Sequence, residues 1–197
     1  MKLKIYKAIF IILIIAVIIV IGLIGIKYRK NYINDQENQK VVETFSRVIT
    51  EQVQENVTMN GYNVIGVVKI SKINLEYPIL DIDTYNPDET KEPMKISIVK
   101  YWGGKVNEYG NLSIAGHNNY DGTMFGKTNK LSIGDVIELI DLNNNTIQYQ
   151  IYNKFITDPN DVTILQTKDK SIREVTLITC TDGNKSRLIL QAREILK

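Results

Sequence analysis

The hydrophobic pattern along this chain changes period twice. It opens with an unbroken apolar run, since Ala8 to Ile26 is 19 residues without a charge. As a helix that run would span roughly 28 Å at about 1.5 Å per residue, close to the thickness of a bilayer's hydrocarbon core. Backbone amides in lipid must bond within their own segment, so a single span is a helix. From residue 31 to about 60 the chain turns polar, and Val41, Val42, Phe45, Val48, Ile49 and Val53 recur at helical spacing among Glu and Gln. This spacing predicts an amphipathic helix over about 35–55, a cover for one edge of a core.

Beyond Tyr62 the pattern shortens to strands. Val64–Ile70, Ile73–Leu80, Lys95–Val99, Asn111–Ala115, Val136–Asp141, Thr146–Tyr152, Glu174–Cys180 and Arg187–Ile195 are short, rich in β-branched residues and bounded by turn formers. Eight such segments with no long helix between them predict a closed or nearly closed antiparallel β fold. Asn143-Asn144-Asn145 reads as a hairpin turn, because Asn tolerates the left-handed backbone such turns need.

Charge refines the first segment. All 22 acidic residues follow residue 30, whereas Lys2, Lys4, Lys7, Lys27, Arg29 and Lys30 flank the apolar run. Residues 31–197 thus hold 18 basic against 22 acidic residues, which is no footprint for nucleic acid. The run is longer than a signal peptide's core and no small-x-small cleavage site follows it, so an uncleaved anchor is expected. Basic residues on both sides barely discriminate orientation. The short N-terminal stub favours a cytoplasmic N-terminus, with the folded mass outside.

Asp141-x-Asn143-x-Asn145 mimics the start of a calcium loop. The sixth position is Thr146 instead of Gly and the twelfth is Tyr152 instead of Glu, so both the turn and the bidentate ligand are missing. The scattered carboxylates Asp81, Asp83, Asp158 and Asp161 read as solvated loop charge. No metal or other cofactor is expected.

The candidate chemistry rests on three residues. Cys180 is the only cysteine and His117 the only histidine. A thiolate that attacks a carbonyl needs a neighbouring base, an acid for the leaving amine, and a donor where the oxyanion develops. Cys180, His117 and Arg187 supply these types, and Arg187 follows Cys180 across a turn, so antiparallel strands would bring the two together. Taken singly, each has an ordinary structural explanation: a packed thiol, a satisfied imidazole, a solvated guanidinium.

Their order carries more. Thr176-Leu177-Ile178-Thr179-Cys180, then Arg187 and Gln191-Ala192-Arg193, closely resembles the sortase signature of Leu-x-Thr-Cys followed by a strand arginine. Ser113-Ile114-Ala115-Gly116-His117-Asn118, with Gly122-Thr123-Met124-Phe125 and Leu131-Ser132-Ile133-Gly134-Asp135, is similar to that family's histidine segment. Ile65–Ile70, Ile73 and Pro78-Ile79 resemble its opening strands, and the likeness covers roughly 62–195.

The resemblance implies a mainly β fold, an eight-stranded sortase-like β-barrel preceded by an N-terminal transmembrane helix and a short amphipathic helix. It divides the chain into a stub over 1–7, an anchor over 8–26, a linker with the amphipathic helix over 27–61 and a catalytic domain over 62–197. It implies a cysteine transpeptidase on the outer membrane face. Such an enzyme cuts surface proteins at a C-terminal sorting motif, often Leu-Pro-x-Thr-Gly-like, and passes the acyl group to an amine of the cell-wall precursor or of a pilin. Cys180 would be the nucleophile, His117 the acid and base, Arg187 the oxyanion or substrate-positioning group, and Thr179 a donor near the substrate. The histidine segment leans toward class B, whereas the short stretch between Tyr152 and Glu174 suits a compact class D-like enzyme. Four residues after Arg193 leave no second span, which lowers the expectation of pilus assembly. Two alternatives stand beside this reading: a hydrolytic cysteine peptidase, and a tethered β-domain that binds an extracellular peptide or wall component without catalysis.

Overall fold

Helix α1 runs from Lys2 to Glu51 in the computed structural model, which describes residues 2–51, 56–82, 89–167 and 169–196. The sequence pattern split this stretch into an anchor and a separate helix, yet the polar residues between them include no glycine or proline, and nothing stops the helix at Lys27. Residues 52–55, the expected end of the amphipathic helix, lie outside the described residues, as does Asp83. The chain divides into two compact units, one ending at Gln36 and one starting at Glu37. In the first, Ile9 to Ile26 is exposed and apolar all round, and this is the one described helix long and apolar enough to cross a membrane.

The second unit is a barrel. After the two-residue β1 (Thr58–Met59) come β2 (Tyr62–Ile70), β3 (Leu75–Leu80), the short helix α2 (Lys91–Met94), β4 (Ile98–Trp102), β5 (Gly110–Ala115), β6 (Val136–Asp141), β7 (Thr146–Thr157), β8 (Arg173–Thr181) and β9 (Ser186–Glu194). The sheet order is β1-β2-β3-β4-β5-β8-β9-β7-β6, and β6 pairs back onto β2, which closes eight strands into a ring. The expectation of an all-antiparallel sheet is corrected at two places: β3–β4 and β5–β8 are parallel. Parallel neighbours need a crossover, and the connections 81–97 and 116–172 provide it, the second carrying the whole β6–β7 hairpin away from β5 and back to β8.

Alternation along the strands makes two apolar layers. Ile79, Ile98, Ile114, Leu139, Tyr149, Leu177 and Leu190 fill the barrel. Their neighbours Val67, Leu80, Val99, Ala115, Ile178 and Ile189 point outward, and Val42, Phe45 and Val48 of α1 are buried with them in a second cluster. At the same end of α1, the Asn38 side-chain amide donates to the Ile96 carbonyl and that of Gln39 to the Glu76 carbonyl, both at 2.9 Å.

The β6–β7 hairpin gives the Asp141-x-Asn143-x-Asn145 pattern a role in the turn. Asp141 accepts the Asn143 and Asn145 backbone N–H groups at 2.8 and 3.0 Å, and Asn144 is left-handed at φ 61°. The carboxylate organises the turn.

Candidate active site

The parallel register of β5 and β8 sets the site. Ala115 pairs with Ile178, so counting on by two brings His117 level with Cys180. On the other side of β8, Cys180 pairs with Arg187 of antiparallel β9. Residues directly opposite one another project to the same face, and adjacent strands are about 4.8 Å apart. The backbone of Cys180 therefore lies between those of His117 and Arg187, about one strand spacing from each. All three residues line one cleft of about 280 Å³ on the outer face of the barrel, and all are half-buried.

The cleft is mainly apolar, with Met94, Tyr101, Ala115, Ile164, Leu165 and Ile178 in its lining, and Thr90, Lys91 and Asp161 add polar groups. One wall is the β7–β8 connection. Asp161 holds this wall by accepting the Thr157 hydroxyl at 2.6 Å and the Thr163 N–H at 2.9 Å. Asn111, buried on β5, fixes the wall from beneath. Its amide donates to the Ile164 carbonyl at 3.1 Å and its carbonyl oxygen accepts the Thr176 hydroxyl at 2.9 Å.

His117 leads into a tightly built loop. Its carbonyl accepts the Phe125 N–H at 3.0 Å, Phe125 is fully buried in the barrel core, and Asn118 bridges Met124. Within the loop, Asp121 accepts the Thr123 hydroxyl at 2.7 Å, and Lys154 on β7 donates to the Asn129 and Leu131 carbonyls at 2.8 and 2.6 Å. Burial, and secondarily the charge of Lys95, hold the His117 imidazole below its ordinary pKa. The ring is mainly neutral at pH 7 and is ready to accept a proton.

Arg187 rests its Nη1 on the Asn184 and Ser186 carbonyls, each at 3.2 Å. The turn that provides them runs left-handed through Asp182, Gly183 and Asn184, three residue types that tolerate this backbone. Thr179 lines the cleft, but its side chain is buried and its hydroxyl donates to the Gly116 carbonyl at 2.7 Å. Its proton is spent on the protein and not held out toward the cleft. The sequence gives no sign of Asn111 and Asn118, because an asparagine's partner across 50 or 60 residues leaves no local signal.

A cysteine flanked in register by a histidine and an arginine, in one largely apolar cleft, suits acyl transfer from an extended peptide. Known proteins point the same way. The Sortase domain family matches residues 68–195. Sortase A of Staphylococcus aureus is 22% identical over 174 residues, covering 84% of this chain and 82% of that protein. Among solved structures, a Clostridium perfringens Sortase D5 transpeptidase is 26% identical with a TM-score of 0.64, covering 82% of this chain and 99% of the other. Sortase C of Clostridium perfringens, solved with its C-terminal cell wall sorting motif, shares the fold at 20% identity and a TM-score of 0.57, covering 82% of this chain and 89% of the other.

Proposed function

This chain belongs to the sortase family, and from that premise we propose that it is a membrane-anchored cysteine transpeptidase. It cleaves surface proteins within a C-terminal sorting motif and joins them to an amine of the cell wall. The observation that carries the reading is the register that lines up His117, Cys180 and Arg187 along one edge of one cleft.

Each proton can be followed. The Cys180 Sγ attacks the scissile carbonyl carbon while the neutral His117 ring takes the thiol proton. The carbonyl oxygen becomes an oxyanion, opposed by the Arg187 guanidinium. As the C–N bond breaks, the imidazolium returns its proton to the leaving amine and a thioester remains. An acceptor amine then attacks the thioester, His117 takes the amine's proton, and Sγ leaves as thiolate and regains that proton. The apolar trough of Met94, Tyr101, Ile164 and Ile178 suits the uncharged residues of a sorting motif. Thr179 contributes surface to the wall and backs Gly116 just before the histidine.

The exposed apolar run of α1 supports anchoring in the membrane. In this reading the stub over 1–7 lies inside and the catalytic domain over 62–197 outside. The short β7–β8 connection and the Sortase D5 likeness favour a compact class D-like enzyme over class B.

The test uses the full chain in detergent micelles with fluorogenic sorting peptides. Cys180→Ala should abolish thioester formation and His117→Ala should nearly do so. Arg187→Ala should slow acylation by about 10²–10³-fold, the scale for one oxyanion donor. An added amine should divert product from hydrolysis to ligation. Full cleavage by Cys180→Ala would end the proposal, and hydrolysis unaffected by amine would make the chain a peptidase.

A further inference from the structure

The pairing between β5 and β8 has to reach past the end of β5 to hold His117 beside Cys180. In a parallel ladder the hydrogen bonds step evenly, each strand donating to alternate carbonyls of its neighbour. The Gly116 N–H donates to the Ile178 carbonyl at 3.2 Å. The next acceptor along β8 is the carbonyl of Cys180 itself, and the next backbone donor would be the N–H of Asn118. At Asn118 the chain leaves the ladder for the returning loop, a turn closed by the Phe125 N–H on the His117 carbonyl at 3.0 Å, and among the described residues no backbone bond joins Asn118 to Cys180. The Asn118 side chain makes the missing step, since its Nδ2 donates to the Cys180 carbonyl at 2.8 Å.

From this substitution of side chain for backbone, we infer that Asn118 is a positioning residue for the Cys180–His117 pair. It lets the chain serve two neighbours at one point: the main chain enters the loop packed by Phe125, while the amide keeps the histidine segment in register with the nucleophile strand. Gly116 and Asn118 bracket His117, and both are tied to β8, one on each side of the imidazole's own residue. Without the second tie the histidine segment is held from β8 on one side only. The imidazole then wanders relative to Sγ, and its help in removing the thiol proton fades. Ala lacks the donor altogether, whereas Gln keeps it on a longer arm.

The inference rests on the transpeptidase reading for its purpose, though its test does not need turnover. The rate of Cys180 alkylation by iodoacetamide is followed against pH for the full chain in micelles, beside sorting-peptide cleavage. Alkylation runs through the thiolate, so a base beside the sulfur raises the rate near neutral pH more than at alkaline pH. Asn118→Ala should lower the alkylation rate at pH 7 by about fivefold, the size expected for one solvent-exposed hydrogen bond, and leave the rate at pH 9.5 unchanged. Peptide cleavage should fall in kcat by a similar factor with KM unmoved, and Asn118→Gln should recover part of the pH 7 rate. A wild-type pH profile in Asn118→Ala, or an equal loss at both pH values, would overturn the inference. Wild-type chain that shows the thiol behaviour but cleaves no sorting peptide would remove the transpeptidase reading and leave the tether intact.

Discussion

Gly126→Ala perturbs the histidine loop without touching a reacting group. A Cβ built at Gly126 falls 2.1 Å from the Asn119 carbonyl oxygen, 2.9 Å from the Gly122 Cα and 3.0 Å from the Thr123 carbonyl oxygen. All three are backbone atoms, so relief requires the turn 119–123 to move by more than an ångström. That turn is closed by Gly122 N–H on the Asn119 carbonyl and Gly126 N–H on the Thr123 carbonyl, each at 3.0 Å. Overpacking of this kind costs about 1–3 kcal/mol, and strained turn bonds push toward the upper end. Removing a glycine from the unfolded chain gives back about 0.4–1 kcal/mol. The net expectation is a loss of about 2 kcal/mol, or roughly 4–8 °C in the unfolding midpoint for a unit of this size. Gly116→Ala is the control. Its Cβ meets Phe125 ring atoms at 3.0 and 3.3 Å and the Ile98 Cγ1 at 3.2 Å, side chains that can yield by a few tenths of an ångström. The steric cost there is about 1 kcal/mol or less, offset by the same entropy gain. Thermal unfolding by circular dichroism measures both variants, and peptide cleavage reads the loop's grip on His117 through the Phe125 N–H. A midpoint for Gly126→Ala within about 1 °C of wild type, or a larger loss for Gly116→Ala, would refute the steric reasoning.

Two further outcomes are expected. Because His117 is the only histidine, its NMR titration is unambiguous: the midpoint should fall below the ordinary value of about 6.5, and Lys95→Gln should move it upward. In the matching stability measurement the unfolded chain binds the proton more readily, so stability should rise with pH up to about 6.5 and be lost as pH falls through the folded midpoint, a slope absent in His117→Gln. A midpoint at or above 6.5 contradicts both. Asn111→Ala should cost roughly 2–4 kcal/mol by orphaning the Ile164 carbonyl and the Thr176 hydroxyl, and should raise KM for the sorting peptide more than it lowers kcat. Equal effects on the two constants would mean that the wall is held by other contacts.

Much of the barrel was legible because its strands alternate so regularly. Val136–Asp141 has the observed bounds, and Asn143–Asn145 forms the turn its composition calls for. What failed were features decided by distant partners. Ile73–Leu80 reads as one strand, but Asn74 is left-handed at φ 52° and a short helical turn takes Ser71–Ile73. Lys95–Val99 reads as a strand, yet the backbone stays helical through Lys95 and β4 begins at Ile98 and runs on to Trp102. Strand direction was invisible as well, since the pattern of β5 is the same whether β8 runs with it or against it. The three site residues stood out through their residue types together with their order along the chain, which resembles the sortase signature. Asn111, Asn118 and Asp161 did not, because a polar residue's partner cannot be read from its own neighbourhood.

The outward-facing apolar layer carries a practical consequence for anyone who wants this catalyst free of lipid. Phe45 is completely hidden, sharing one cluster with Ile164 and Ile178, which also line the reaction trough. A truncation that starts at residue 37 keeps this lid of helix over the greasy exterior. One that starts after Glu51 strips it away, and the bared strands would stick to one another and drag the trough's walls out of shape.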